Sequence, residues 1–155
     1  MASKGAKFSF DEAILKIRST EPGKEAAMYG PLRDIFIHVL GYPAGDVDID
    51  ITGDAGRPDL TVNASVGLLK GDGTPKKQPW VVVEAKTEHG VFKNPDTRED
   101  IFDEKSKYIG ANTAWFVMVD PSTIVARSVG GKTSDSDIVI DLGDVEDVDR
   151  SESVV

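Results

Sequence analysis

Hydrophobic positions along this chain switch between two spacings, and the switches mark out its elements. Ser9-Phe-Asp-Glu12 has the spacing of a capping box and precedes Ala13-Ile-Leu-Lys-Ile-Arg18, which predicts a short first helix. A second helix is predicted from Thr20 or Pro22 to Gly41, with Gly30-Pro31 bending or dividing it. Within it Glu25, Tyr29, Leu32, Phe36 and Val39 fall on one stripe, apolar except for its first member. Strand alternation follows in Val47-Asp-Ile-Asp-Ile51 and from Asp59 to Leu68, and then comes the apolar run Trp80 to Lys86. Asn94-Pro95-Asp96 predicts a turn that caps a helix from about Thr97 to Ile109. Two β-rich segments, Ala114 to Val119 and Thr123 to Val129, meet at Asp120-Pro121-Ser122, and Asp137 to Leu142 reads as one more edge strand. The order α–α–β–β–β–α–β–β gives an α/β fold, a central mixed β-sheet flanked by helices.

Composition narrows the chemistry. A length of 155 residues suits one domain with a single core. The absence of cysteine excludes disulfide scaffolds, zinc-thiolate sites and cysteine nucleophiles, and two histidines (His38 and His89) leave no room for a multi-histidine metal site. No apolar run approaches the ~18 residues that cross a bilayer. Met-Ala-Ser-Lys-Gly-Ala-Lys lacks the apolar core of a signal peptide, so the expectation is a soluble cytoplasmic domain with no membrane partner. Net charge is −9, which argues against nucleic acid until its distribution is considered. Residues 133 to 155 hold eight acids and one base, so they account for −7 and leave −2 on the rest. The expected organisation is a folded domain over residues 1–132, with its core at about 20–130, followed by an acidic edge strand and solvated tail or linker over 133–155.

Candidate chemistry sits on the third strand. In Glu84-Ala85-Lys86, residues two apart project a carboxylate and an ammonium to one face. Lys70-Gly-Asp-Gly-Thr74 predicts a hairpin to the preceding strand. A turn centred between Gly71 and Asp72 sets Asp59 opposite Glu84; one centred on Asp72-Gly73 sets it opposite Lys86. Either register clusters Asp59, Glu84 and Lys86. The other face collects Leu60, Val62, Ala64 and Val66 with Val81, Val83 and Ala85, a surface for a helix to cover. Two adjacent carboxylates repel each other and are relieved by a hard divalent cation such as Mg²⁺, while a neighbouring lysine can orient or deprotonate water or offset charge on a phosphorane. Glu25, on the core-facing side of its helix, is either a first-turn acid favoured by the helix dipole or a contributor to such a site.

Glu25, then Gly-Arg-Pro-Asp59, then Val-Val-Val-Glu84-Ala-Lys86, then a helix carrying Glu104 and Tyr108, resembles the PD-(D/E)XK nuclease superfamily over roughly residues 20 to 130. The resemblance implies a restriction-endonuclease-like core and Mg²⁺-dependent cutting of DNA, with Mn²⁺ as a substitute. It implies that Asp59 and Glu84 bind the metal with the Ala85 carbonyl, that Lys86 is catalytic, and that Glu25 assists the metal through water. Many members carry glutamine and tyrosine four residues apart on the later helix; here Glu104 stands for the glutamine and Tyr108 matches. An ionised glutamate cannot donate a hydrogen bond to phosphate. The nearest likeness is to nuclease domains at the N-terminus of multidomain restriction enzymes, which implies helicase, translocase or methyltransferase partners that deliver the domain to DNA. The alternatives are a catalytically inactive module of this fold and a carboxylate-rich metal-binding domain with no nucleic-acid role.

Other features have plainer readings. Lys76, Lys77, His89 and Lys93 flank the expected cleft as weak candidates for DNA contact, although loop and hairpin positions need no such role. Ala126-Arg-Ser-Val-Gly-Gly-Lys-Thr133 loosely matches a phosphate-binding loop but reads as a glycine turn, because strand patterning follows it. Asp46, Asp48 and Asp50 read as the wet face of a strand. His38 reads as a partly buried packing residue, and Trp80 and Trp115 as core.

Overall fold

The computed structural model describes residues 8–50, 58–110, 112–130 and 136–143. Helix α1 (Phe10–Arg18) starts where Ser9 accepts the Glu12 N–H, and it buries Ala13, Ile14 and Ile17. The second helix is shorter than predicted. Glu25–Met28 is a single 3-10 turn, and α2 runs only from Tyr29 to His38. The reason is local: Gly23 sits at φ +78°, a left-handed conformation that no helix continues through. Gly30-Pro31 therefore lies in the first turn of α2, where a missing N–H costs little, rather than at a kink.

Six strands follow: β1 (Val47–Ile49), β2 (Leu60–Leu69), β3 (Pro75–Ala85), β4 (Trp115–Asp120), β5 (Thr123–Ser128) and β6 (Ile138–Asp141). They form one sheet in sequential order. Only β3 and β4 are parallel, because α3 (Pro95–Lys105) connects them as a crossover. Asn94 caps α3 by accepting the Asp96 N–H, with Pro95 at its first position, and a 3-10 turn over Ser106–Tyr108 ends it. This is the α/β arrangement the patterning predicts, a mixed sheet with helices on both faces.

Each face carries its own core. Leu60, Val62, Val81, Val83 and Ala85 pack against Ile14 and Ile17 of α1, Met28 of the 3-10 turn and Leu32 and Phe36 of α2, as the predicted helix-covered surface requires. The Val66 side chain lies outside the described residues. On the opposite face Val82, Phe116, Met118 and Val125 pack with Phe92 under Ile101 and Phe102 of α3. Central strands β3 and β4 are buried on both sides over Val81–Ala85 and Phe116–Asp120. Two aromatic expectations fail: Trp80 is 39% exposed, and His38 is exposed at the end of α2, where it stacks on Phe8. Among the described residues no helix is long and apolar enough to cross a membrane.

The acidic C-terminal segment is not wholly solvated. β6 pairs with β5, and just before it the buried Asp137 carboxylate receives Arg127 at 2.7 and 2.9 Å and Arg98 at 2.8 Å. Arg127 is itself fully buried, also bonds Glu99 at 3.1 Å, and lies 4.8 Å over the Phe102 ring. Residues 131–135, with the end of the glycine-rich stretch, and the tail from 144 lie outside the described residues, as do Gly56 and Arg57. Asp137→Ala would leave two buried guanidiniums facing each other, so we expect a loss of about 3–5 kcal/mol in urea denaturation. A loss below about 1 kcal/mol would contradict this account of how β6 and α3 are held.

Candidate active site

Asp59 lies just before β2 and Glu84 next to the end of β3. The pairings Leu60–Val83, Thr61–Val82 and Val62–Val81 extend to set Asp59 opposite Glu84, the first of the two registers considered. The turn does not fix this alone. Lys70 and Thr74 close it around Asp72, and irregularities near Val62–Asn63 and Ser65–Leu69 restore the base register.

Asp59 uses both oxygens. Its Oδ2 accepts the Ala85 N–H at 2.7 Å, and its Oδ1 accepts from the Tyr29 hydroxyl at 3.0 Å. The same hydroxyl lies 2.8 Å from Glu25 Oε1. One phenolic proton therefore serves two carboxylates, an arrangement relieved when Glu25 holds a proton of its own. Burial, and after it the nearby Asp59 charge, raises the Glu25 pKa, although the Tyr29 hydrogen bond opposes the shift. Burial, the Glu25 hydrogen bond and the Asp59 charge also push the Tyr29 hydroxyl far above its usual range, so it stays a donor.

Glu84 is 3% exposed. Its Oε2 meets Lys105 at 3.4 Å and Lys86 at 3.7 Å, while Oε1 is buried with no hydrogen-bond partner. Burial and then Asp59 raise its pKa to about 7 against the pull of the two lysines. A carboxylate in this state is under-satisfied on one oxygen and compensated on the other. Lys86 follows the end of β3, with its side chain one-third exposed and its N–H tied to the Val119 carbonyl.

Of the residues singled out by sequence, Glu25, Asp59, Glu84, Ala85 and Lys86 thus come together. Others do not. Glu104 is exposed, and Tyr108 sits in the turn after α3 with Lys107 over its ring at 5.2 Å. The inward position of that helix belongs instead to Lys105, 6% exposed, on the stripe of Arg98, Ile101 and Phe102. Lys77 ion-pairs with Asp46, and together with Lys76 it lies at the hairpin end of β3. At ~3.3 Å per residue, that is roughly 26 Å along the strand from Ala85, so these two lysines do not flank the cluster. His89 is exposed in the loop after β3, and Lys93 pairs with Asp141 at 3.1 Å. Asp48, on the wet face of β1, accepts from Asn63. Sequence reasoning missed Tyr29 and Lys105. Tyr29 stands four residues from Glu25, the spacing for a side-chain hydrogen bond, and Lys105 completes the i, i+3, i+4, i+7 stripe of α3.

Among the described residues no three His, Cys, Asp or Glu side chains converge as a ready-made metal cage. No family model matches this sequence, and no curated protein matches it. A solved structure, a cryo-EM DrdV–DNA complex, superimposes with a TM-score of 0.47 at 15% identity, over 86% of this chain and 12% of that one. The chain thus spans about one-eighth of that protein's length.

A carboxyl whose folded-state pKa lies above its unfolded value binds its proton more tightly when folded. Its contribution to stability is complete below the unfolded value and is lost as pH rises through the folded one. For Glu84 the window runs from 4.5 to about 7, and Glu25 acts in the same direction. We therefore expect the metal-free wild type to lose stability relative to Glu84→Gln as pH rises from about 5 to about 8, by on the order of 2 kcal/mol in urea denaturation. A constant difference across that range would contradict the assignment.

Proposed function

We propose that this chain is a metal-dependent endonuclease domain of the PD-(D/E)XK type that hydrolyses DNA phosphodiester bonds. The observation that carries this reading is Glu84: a buried carboxylate beside Asp59 with one oxygen lacking any partner. An oxygen-preferring divalent cation satisfies that atom and relieves the repulsion between the two acids. Two carboxylates without a third fit Mg²⁺, which retains several waters and suits sites completed by substrate phosphate. Asp59, Glu84 Oε1 and the Ala85 carbonyl would hold it, with Glu25 acting through water. Mn²⁺ is the expected substitute. When bound, the ion supplies Lewis acidity toward the phosphate and lowers the pKa of water.

The chain's own residues have separable tasks. Tyr29 and the Ala85 N–H fix both oxygens of Asp59, so that carboxylate cannot rotate away. Lys86, partly open to solvent beside Glu84, is the group positioned to orient an attacking water or to offset charge on the phosphorane. The domain would act as the nuclease part of a larger restriction or DNA-defence enzyme, brought to DNA by helicase, translocase or methyltransferase parts. The near-neutral charge outside the acidic terminus supports that division of labour, since few phosphate contacts are available for binding DNA unaided.

A second reading, a catalytically inactive module of the same fold, draws on Lys105 at Glu84 and on the absence, among the described residues, of a ready-made metal cage. Nicking of supercoiled plasmid separates the two. We expect Mg²⁺- or Mn²⁺-dependent nicking that falls at least about 100-fold in both Asp59→Ala and Lys86→Ala, with melting temperatures that confirm folded protein. Comparable nicking by the wild type and both variants would contradict the proposal. Absence of both nicking and cation binding in the wild type would favour the inactive module.

A further inference from the structure

Lys105 is the residue of this cluster that the proposed chemistry leaves without a task. It ends α3, its side chain is almost wholly buried, and its ammonium approaches the same Glu84 oxygen that Lys86 already faces. Being buried, it cannot reach out to meet substrate, as the more open Lys86 can. A buried ammonium is costly unless it is compensated, and Glu84 compensates it. Both ammoniums thus lie nearest one Glu84 oxygen, and the other has no hydrogen bond.

The charge balance has a consequence for ligands. Cation binding requires both acids in their charged form; in that form Asp59, Glu84, Lys86 and Lys105 sum to zero before the cation arrives. A divalent cation entering alone takes them to +2, and a phosphodiester entering with it takes them to +1. Without Lys105 the same sequence runs from −1 to +1 to 0. The second lysine therefore opposes the cation on its own and favours the anion that follows it.

We propose that Lys105 is a positioning and charge-setting residue that keeps cation affinity at Asp59–Glu84 low, so that the site fills when a DNA phosphodiester adds its own attraction for the cation. This rests on the metal-dependent reading of the site above. Cation and phosphate then reinforce each other, and linkage requires the reinforcement to be reciprocal. The domain takes up its metal chiefly on DNA.

Calorimetric Mn²⁺ titration of the full chain, with and without a phosphorothioate-linked duplex that keeps the charge and resists cutting, tests this. In the wild type the duplex should tighten Mn²⁺ binding by about tenfold or more. Lys105→Gln, which retains a donor for Glu84, should bind Mn²⁺ about tenfold more tightly without DNA. Lys105→Arg, which retains the charge, should behave like wild type. Mn²⁺ binding that Asp59→Ala abolishes but Lys105→Gln leaves within about twofold would overturn the role of Lys105 while sparing the metal site. Equal wild-type affinity with and without duplex would overturn it too, whether or not the Gln variant folds. No Mn²⁺ binding by the wild type in either condition would overturn the metal reading itself and this inference with it.

Discussion

The Asp59 carboxylate ties together parts of the chain that are distant in sequence. One oxygen takes the Tyr29 hydroxyl from α2, and the other takes the Ala85 N–H from the end of β3. These two bonds fix where the helical layer meets the sheet edge, and they hold Asp59 across from Glu84. Accepting both bonds on separate atoms takes two acceptor oxygens at that spot, so the side chain that joins the layers is also the one that adds charge beside Glu84. Burial intensifies that problem, because carboxylates close together in a poorly solvated strand end cannot all ionise freely. Burial first, and the Asp59 charge after it, raise the pKa values of Glu25 and Glu84.

Helix α3 is held by charge as much as by apolar contact. Its buried residues are Arg98 and Lys105, with Ile101 and Phe102 between them only partly covered. Arg98 reaches the Asp137 carboxylate and the Phe92 and Lys93 carbonyls, and Lys105 reaches Glu84. One end of the helix is thus coupled to β6 and the other to the acid pair. Buried ion pairs contribute little net stability when complete, but they penalise any arrangement that leaves one partner alone. The helix therefore has one register in which its charges are met.

The fold was largely legible in the sequence, because the patterns that carry it are local. Alternation in β2, the continuous apolar run of β3, the Asn94 cap and the glycine-rich hairpin all specify their elements from a few neighbouring residues. The second helix was misjudged at its start because Pro22 reads as a favourable first-turn residue, whereas Gly23 takes a left-handed conformation visible only in three dimensions. Asp137 reads as the start of an acidic edge strand, and nothing local marks it as buried, since its arginine partners stand 10 and 39 residues away. The site was half legible. Strand periodicity alone brings Asp59, Glu84 and Lys86 together, and helical periodicity brings Glu25 near. Lys105 is masked by the other charged residues of α3, and Tyr29 by its apolar neighbours on the α2 stripe. Both belong to helices whose docking angle the sequence does not state.

The proposed function requires Asp59 and the Glu84 oxygen that lacks a hydrogen bond to hold one cation. Anomalous scattering from crystals of the domain on a phosphorothioate-linked duplex, soaked in Mn²⁺, locates that cation. The account predicts a single strong peak within coordinating distance, ~2.1–2.2 Å, of an Asp59 oxygen and Glu84 Oε1. A peak held by other carboxylates, or none at the Asp59–Glu84 pair under saturating Mn²⁺, would contradict it.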